Sequence, residues 1–227
     1  MRSSRARLAA TPVALVAALA AGCASPEFTY VHDGDGRTYF KVPAVWRQID
    51  QKTLDAALER SDPESATARV RKQLVWSIAY DAHAEPAVQH LYGLGPSDEP
   101  FVFARVAKLL PSELDELSLN GMRDVILPVS EEVRARAEQI PGYPLTGFEL
   151  LADEVLHPGD GVRGVHVRFN YAVQGAGVQT FDLTSYLSED GQRLSTMLVR
   201  CSAACYRERA AELDRVTQSF KVKRAIG

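Results

Sequence analysis

The 227-residue sequence predicts an α/β protein of the α+β kind, with an antiparallel β-sheet that includes a C-terminal four-strand meander and is flanked by helices as an α/β/α sandwich. Three observations carry this expectation. Tight-turn residues recur in the last third, at Pro158-Gly159-Asp160-Gly161, Gln174-Gly175-Ala176-Gly177 and Glu189-Asp190-Gly191, and separate strand-like runs. Within the runs polarity alternates: Val165, Val167, Phe169 and Tyr171 share one face, and His166, Arg168 and Asn170 share the other. Leu213, Val216 and Phe220 then make an apolar stripe at helical spacing, which supplies a cover for the apolar sheet face.

Taken in order, Phe28-Thr29-Tyr30-Val31 and Thr38-Tyr39-Phe40-Lys41-Val42 are β-prone and flank a turn cluster, so they read as a hairpin. The turn, Asp33-Gly34-Asp35-Gly36, mimics the start of a calcium loop. Arg37 and Ala44 stand where oxygen ligands are needed, so a plain turn is expected. Pro43 stops the strand. A helix is expected over 51–60, with Leu54, Ala57 and Leu58 on one face, then a polar loop over 61–68. Residues 74–80 read as a strand with Leu74, Trp76, Ile78 and Tyr80 on one face, and 101–106 as another. The stretch 82–100 between them is Pro/Gly-rich and longer than most loops. Ser112-Glu113-Leu114-Asp115 resembles a capping box and opens a helix to about residue 126; a second helix covers 131–139. Residues 141–147 break the chain. The meander strands are expected over 148–157, 162–173, 178–188 and 192–200, the final helix over 203–219, and a short edge strand at Phe220-Lys221-Val222. No repeat or long linker divides 28–227, which is expected to be one domain.

A hydrophobic content of 46% and a charged content of 24% indicate a folded core. The first residues stand apart. Arg2, Arg5 and Arg7 precede an apolar run over 8–21, at roughly 14 residues too short for a membrane span of about 20. The run ends in Leu19-Ala20-Ala21-Gly22-Cys23. Small residues before a cysteine resemble the lipobox of bacterial lipoproteins, although Leu is commoner than Ala at the position of Ala20. Residues 1–22 therefore read as a lipoprotein signal peptide, Cys23 as a lipidation site, and 23–27 as a lipidated tether. Multiple acyl chains, palmitate among them, would anchor the protein to the cell membrane or envelope, facing outside the cytoplasm. An ordinary secretory peptide is the alternative. Loss of the leader's three arginines lowers 26 basic residues to 23 against 29 acidic, taking the net charge from −3 to −6. That balance argues against nucleic acid and against an anionic surface as partners.

Export places Cys201 and Cys205 in an oxidising compartment, where a pair of cysteines becomes a disulfide. Closing a five-residue loop is worth about 2 kcal/mol, a local staple. A redox-active pair usually has two intervening residues, and here there are three. A metal site would need two further ligands.

Catalytic patterns are scarce. The sequence has no Gly-x-Ser-x-Gly elbow, no P-loop and no His-Glu-x-x-His motif. His83 and His90 flank Glu85 in one loop and could share a metal or serve a hydrolase. Asp153 and Glu154 are adjacent in a strand, so alternation puts them on opposite faces. His157, His166 and Arg168 can line a polar sheet face, solvated or under a polar helix. Trp46 and Trp76 read as core anchors, with an apolar pocket as the other reading. No catalytic residue, metal ligand, cofactor or ligand-binding residue is assigned.

Two segments carry a family resemblance. Tyr39-Phe40-Lys41-Val42-Pro43-Ala44-Val45-Trp46 is an aromatic strand followed by Pro and Trp; Val216-Thr217-Gln218-Ser219-Phe220-Lys221-Val222 closes a meander and helix. The pattern resembles the PsbP-like superfamily, which includes photosystem PsbP proteins, a Ran-binding nuclear-import factor and actinobacterial LpqN-type lipoproteins. The resemblance covers most of the chain after the leader, apart from 82–100. It implies an antiparallel sheet between helix layers and a binding or assembly role, and it transfers no functional residue. The expected function is that of a membrane-anchored lipoprotein with a non-enzymatic binding or envelope-assembly role, through an envelope protein partner. The alternatives are a carrier of a lipid or small apolar ligand between sheet and helices, and a hydrolase with its site in 82–100.

Overall fold

A computed structural model of the chain describes residues 26–58, 70, 73–92, 98–110 and 117–223. The leader, Cys23, the loop at 61–68 and the helix start at Ser112-Glu113-Leu114-Asp115 lie outside those residues. In chain order the described elements are β1 (Phe28–His32), β2 (Thr38–Pro43), β3 (Arg47–Gln48), α1 (Gln51–Leu58), β4 (Val75–Asp81), a 3₁₀ turn (Val88–Tyr92), β5 (Phe101–Lys108), α2 (Leu119–Arg123) and α3 (Glu131–Glu138). Then come β6 (Leu145–Gly159), β7 (Val162–Val173), β8 (Gly177–Leu187), β9 (Arg193–Ser202), α4 (Ala203–Glu208), α5 (Ala210–Thr217) and β10 (Lys221–Val222).

The strands form two antiparallel sheets. The larger has the order β3-β4-β5-β9-β8-β7-β6, so the expected meander is its second half. The smaller has the order β1-β2-β10 and is the predicted hairpin joined by the predicted edge strand. Its turn is closed by Asp33, whose Oδ1 accepts from the Arg37 and Thr38 amides at 2.8 and 2.9 Å, with Gly36 left-handed at φ 65°. Asp33 also pairs with Arg193. One carboxylate oxygen thus serves the turn and the other the Arg193 pair.

Alternation builds a core on each face of the large sheet. On one face Phe103, Phe169, Phe181, Leu183 and Leu198 pack with Ile49 and Leu54. On the other, Val102, Met197 and Val199 meet Phe40, Val42 and Trp46 of the N-terminal part and Leu213, Val216 and Phe220 of the C-terminal part. The antiparallel sheet flanked by helices is therefore present, and on this second face the small sheet shares the covering with α4 and α5. Trp46 is a core anchor and Trp76 packs against the same cluster.

Several boundaries differ from expectation: β5 and β9 each end two residues later, at Lys108 and Ser202, and β3 and the 3₁₀ turn stand where no element is expected. β6 begins three residues earlier and ends two later, extended by register shifts that let it follow the twist of β7. Of the helix expected from residue 112, the described residues hold only the short α2, whose N-cap Ser118 accepts from the Gly121 amide at 3.0 Å. The final helix is two helices, broken at Arg209 (φ −107°, ψ 16°). Its guanidinium donates to Glu99 and, at 2.9 Å, to Glu212.

Gly164 sits opposite Tyr186 on the neighbouring strand. A Cβ built there would stand 2.6 Å from the Tyr186 ring and 2.9 Å from the Ser185 carbonyl oxygen. Gly164→Ala should therefore cost about 1–3 kcal/mol, read as a lower urea midpoint at unchanged slope. A midpoint equal to that of the parent would contradict the close approach.

Candidate functional site

The turn at 174–176 fixes the β7–β8 register by pairing Val173 with Gly177, and this places Arg168 opposite Asp182 and His166 opposite Thr184. These residues look toward α4 and α5. Asp182 is fully buried, with three donors on its carboxylate: His166 Nε2 at 2.9 Å, Arg168 Nε at 2.8 Å and the Tyr206 hydroxyl at 2.6 Å. Arg168 continues to Asp214 Oδ1 at 2.8 Å and lies over the Tyr206 ring, 4.9 Å from its centroid. One buried acid thus ties together β7, β8, α4 and α5.

The electrostatics follow from that closure. Burial pushes the Asp182 carboxyl up, but the hydrogen bonds and charges of His166 and Arg168 outweigh it and hold the group below the ordinary carboxylate value. The hydrogen bond to Asp182 raises His166 above the ordinary imidazole value against the pull of burial. Burial, reinforced by Asp182, pushes the Tyr206 hydroxyl far up, so it remains a donor. Above the cluster is an open cleft of about 370 Å³ bordered by Glu154, His166, Arg168, Asp214, Gln218 and Lys221. Its border mixes both signs of charge, and His166 faces it with one nitrogen already committed to Asp182.

The polar face expected from alternation is real, and it lies under helices carrying Tyr206 and Asp214. His157 does not belong to it: that residue is exposed near the end of β6. Asp153 and Glu154 point to opposite faces as expected. Asp153 receives a forked pair of hydrogen bonds from Arg123, while Glu154 borders the cleft.

A second polar cluster lies in the 82–100 stretch. Asp81, fully buried at the end of β4, accepts from His90 Nδ1 at 2.6 Å and from the amides of His83 and Ala87 at 2.9 and 3.0 Å. The His83 and His90 rings meet edge-on, 5.3 Å apart. The loop thus joins the two histidines as the metal and hydrolase readings required, but the acid is Asp81, and only the His90 imidazole bonds it. Glu85 meets His83 through its main chain. Among the described residues no hydroxyl or thiol hydrogen-bonds either imidazole, and no three His, Cys, Asp or Glu side chains have metal-binding geometry. Nearby, burial lowers the guanidinium of Arg200 to about 10 against the charges of Asp81 and Asp98, and its Nη1 donates to Gln179 Oε1 at 2.8 Å.

Cys201 and Cys205 form a disulfide, with Cα atoms 5.9 Å apart, that joins the end of β9 to the first turn of α4. Ser202 caps that helix by accepting from the Cys205 amide at 3.2 Å. For a carrier, the space between layers matters. A pocket of about 110 Å³ between Thr38, Tyr186, Val222 and their neighbours falls below the roughly 300 Å³ at which small-molecule sites begin. The 370 Å³ cleft above Asp182, between the sheet and α5, is large enough, but it is open and its border is charged rather than apolar.

No protein-family model and no curated protein matches the chain. Solved structures do. The solution structure of cyanobacterial PsbP (CyanoP) from Synechocystis sp. PCC 6803 aligns over 89% of this chain and 96% of its own, with a TM-score of 0.52 at 12% identity. The chain has the PsbP-like fold. LpqN, involved in cell envelope biogenesis of Mycobacterium tuberculosis, aligns over 86% and 90% at TM-score 0.44 and 14% identity. The Ran-binding protein Mog1p of Saccharomyces cerevisiae aligns over 87% and 96% at 0.42 and 11%. In this PsbP-like chain the Asp182 cluster sits where the meander meets the C-terminal helices.

Proposed function

We propose that this chain is an exported lipoprotein, anchored by acylation of Cys23, whose PsbP-like domain binds a protein partner in the cell envelope and catalyses no reaction. The observation that carries the binding role is the edge of the large sheet. β6 has β7 on one side and no described strand on the other, so its outer amides and carbonyls are available for pairing along 15 residues. Leu150, Leu151 and Val155 are all exposed on it. Glu149, Asp153 and Glu154 give it three acids and no Lys or Arg. Two copies paired edge to edge would face like charges, which disfavours self-association. The edge suits an extended, Lys- or Arg-bearing segment of another protein added as an extra strand. The non-catalytic reading is supported by the two buried acids, Asp81 and Asp182, whose oxygens are already filled by internal donors.

Photo-cross-linking in envelope membranes tests the reading. A cross-linker at position 151 should give one discrete protein adduct, absent from position 208 on α4 and lost in Glu149→Lys/Glu154→Lys. An adduct equally strong from position 208 would reject the edge as the docking surface. For the anchor, Cys23→Ala should abolish palmitate labelling and leave the membrane fraction; a variant that stays there and still labels refutes acylation at Cys23.

A further inference from the structure

The outer face of the small sheet is unlike the rest of the molecule. Its inner face, with Val31, Phe40 and Val42, is buried in the core. Register puts Phe28 beside Pro43, Tyr30 beside Lys41, and His32 beside Tyr39 on the outer face, with Lys221 of β10 flanking Tyr39. The face is therefore aromatic and basic, with no acid on it. Lys41 Nζ lies 4.0 Å from the centroid of the Phe28 ring, and Lys223 Nζ lies 4.8 Å from that of Tyr39. Tyr30 is 78% exposed. Val45, 81% exposed, follows β2 at the rim where the Ala44 amide bonds the Glu27 carbonyl. The acids nearby in sequence are paired with arginines: Glu27 with Arg215 at 3.3 Å, at the margin of the face where that guanidinium lies 5.8 Å from the Phe28 centroid, and Asp35 with Arg193 at 2.5 Å.

Tyrosine and lysine together are the residues that sit at a membrane–water interface, the ring among the headgroups and the ammonium against lipid phosphate. The position of the face adds a second argument. Phe28 follows Cys23 by five residues, a span of at most about 17 Å, so a lipid on that cysteine would hold this face within reach of the bilayer. We infer that the outer face of β1-β2-β10 lies against an anionic lipid headgroup layer, with Lys41, Lys221 and Lys223 on the phosphates and Tyr30 among the headgroups. The net charge of −6 expected without the leader conceals this, because the acids beside the sheet, Glu27, Asp33 and Asp35, are paired with arginines and others lie on β6, α3 and the turn at 189–190. The inference takes its setting from the anchored reading, but the contact itself needs no acyl chain.

The test therefore uses unacylated protein, residues 23–227 with Cys23→Ala. Every described element lies within 28–222, so this chain keeps all of them. It is sedimented with vesicles of phosphatidylcholine alone or mixed with phosphatidylglycerol. Binding is expected to the mixed vesicles, to fall with salt, and to weaken about tenfold in Tyr30→Ser/Lys41→Glu/Lys221→Glu. Arg136→Glu on α3 should bind like the parent. Circular dichroism and thermal melting check that the triple variant is folded, and Lys221→Glu alone, on an exposed site, serves if it is not. Parent protein that ignores both vesicle types, or that binds them equally, overturns the inference. So does a folded variant that binds as the parent does. None of these outcomes touches acylation, which the mass of the full-length product reports.

Discussion

Replacing Asp182 by alanine should lower the unfolding free energy by about 3–5 kcal/mol, the range found when one partner of a buried ion pair is removed. The mutation leaves His166, Arg168 and the Tyr206 hydroxyl converging on an empty position. The same cluster gives a pH signature. Asp182 is depressed below its ordinary 3.8, so its contribution is present above that value and lost as pH falls through the folded value. His166 is raised above its ordinary 6.5, so its contribution is complete below 6.5 and lost as pH rises through the folded value. Stability from the pair is therefore greatest between those limits. Urea midpoints measured across pH should show both limbs in the parent, and Asp182→Asn should flatten them. An alanine variant within about 1 kcal/mol of the parent would mean the cluster is solvated and contributes as a surface pair does.

Phe169→Ala is the second large effect, about 3–5 kcal/mol by calorimetric unfolding. Phe169 stacks on Phe181 across the β7–β8 ladder with ring centroids 5.6 Å apart, and meets Tyr171 and Phe148 at 5.9 and 5.7 Å. Removing it leaves a cavity at the centre of an aromatic row that rigid strands cannot collapse to fill. Phe169→Leu should cost clearly less, since most of the volume is kept. Equal losses for the two variants would show that ring geometry, rather than volume, sets the energy.

The meander was legible because each strand alternates and each turn carries glycine, so Val165 to Tyr171 announced both period and face. The N-terminal hairpin was legible for the same reason. The Asp182 cluster was not, although its sign was present: once Val173 and Gly177 are paired, Arg168 lies five residues before the turn pair and Asp182 five after it. Tyr206 and Asp214 could not be added that way, because a helix docks on a sheet through packing rather than register. Asp81 was missed in favour of Glu85 because its role depends on the 3₁₀ turn that swings His90 back onto the end of β4. The break at Arg209 escaped because no glycine or proline marks it in the sequence.

The smaller sheet has a consequence for the order in which the molecule is assembled. β2 finds one neighbour at once, in β1, but its other neighbour is β10, some 180 residues further along the chain. Phe40 likewise waits for Phe220, its edge-on partner at 6.4 Å. An emerging polypeptide must therefore carry an early, half-covered aromatic hairpin through nearly the whole of its synthesis. Long-range closure of this kind is slow, and a nascent hairpin with an uncovered apolar side is the part of the chain most in need of a chaperone while it waits.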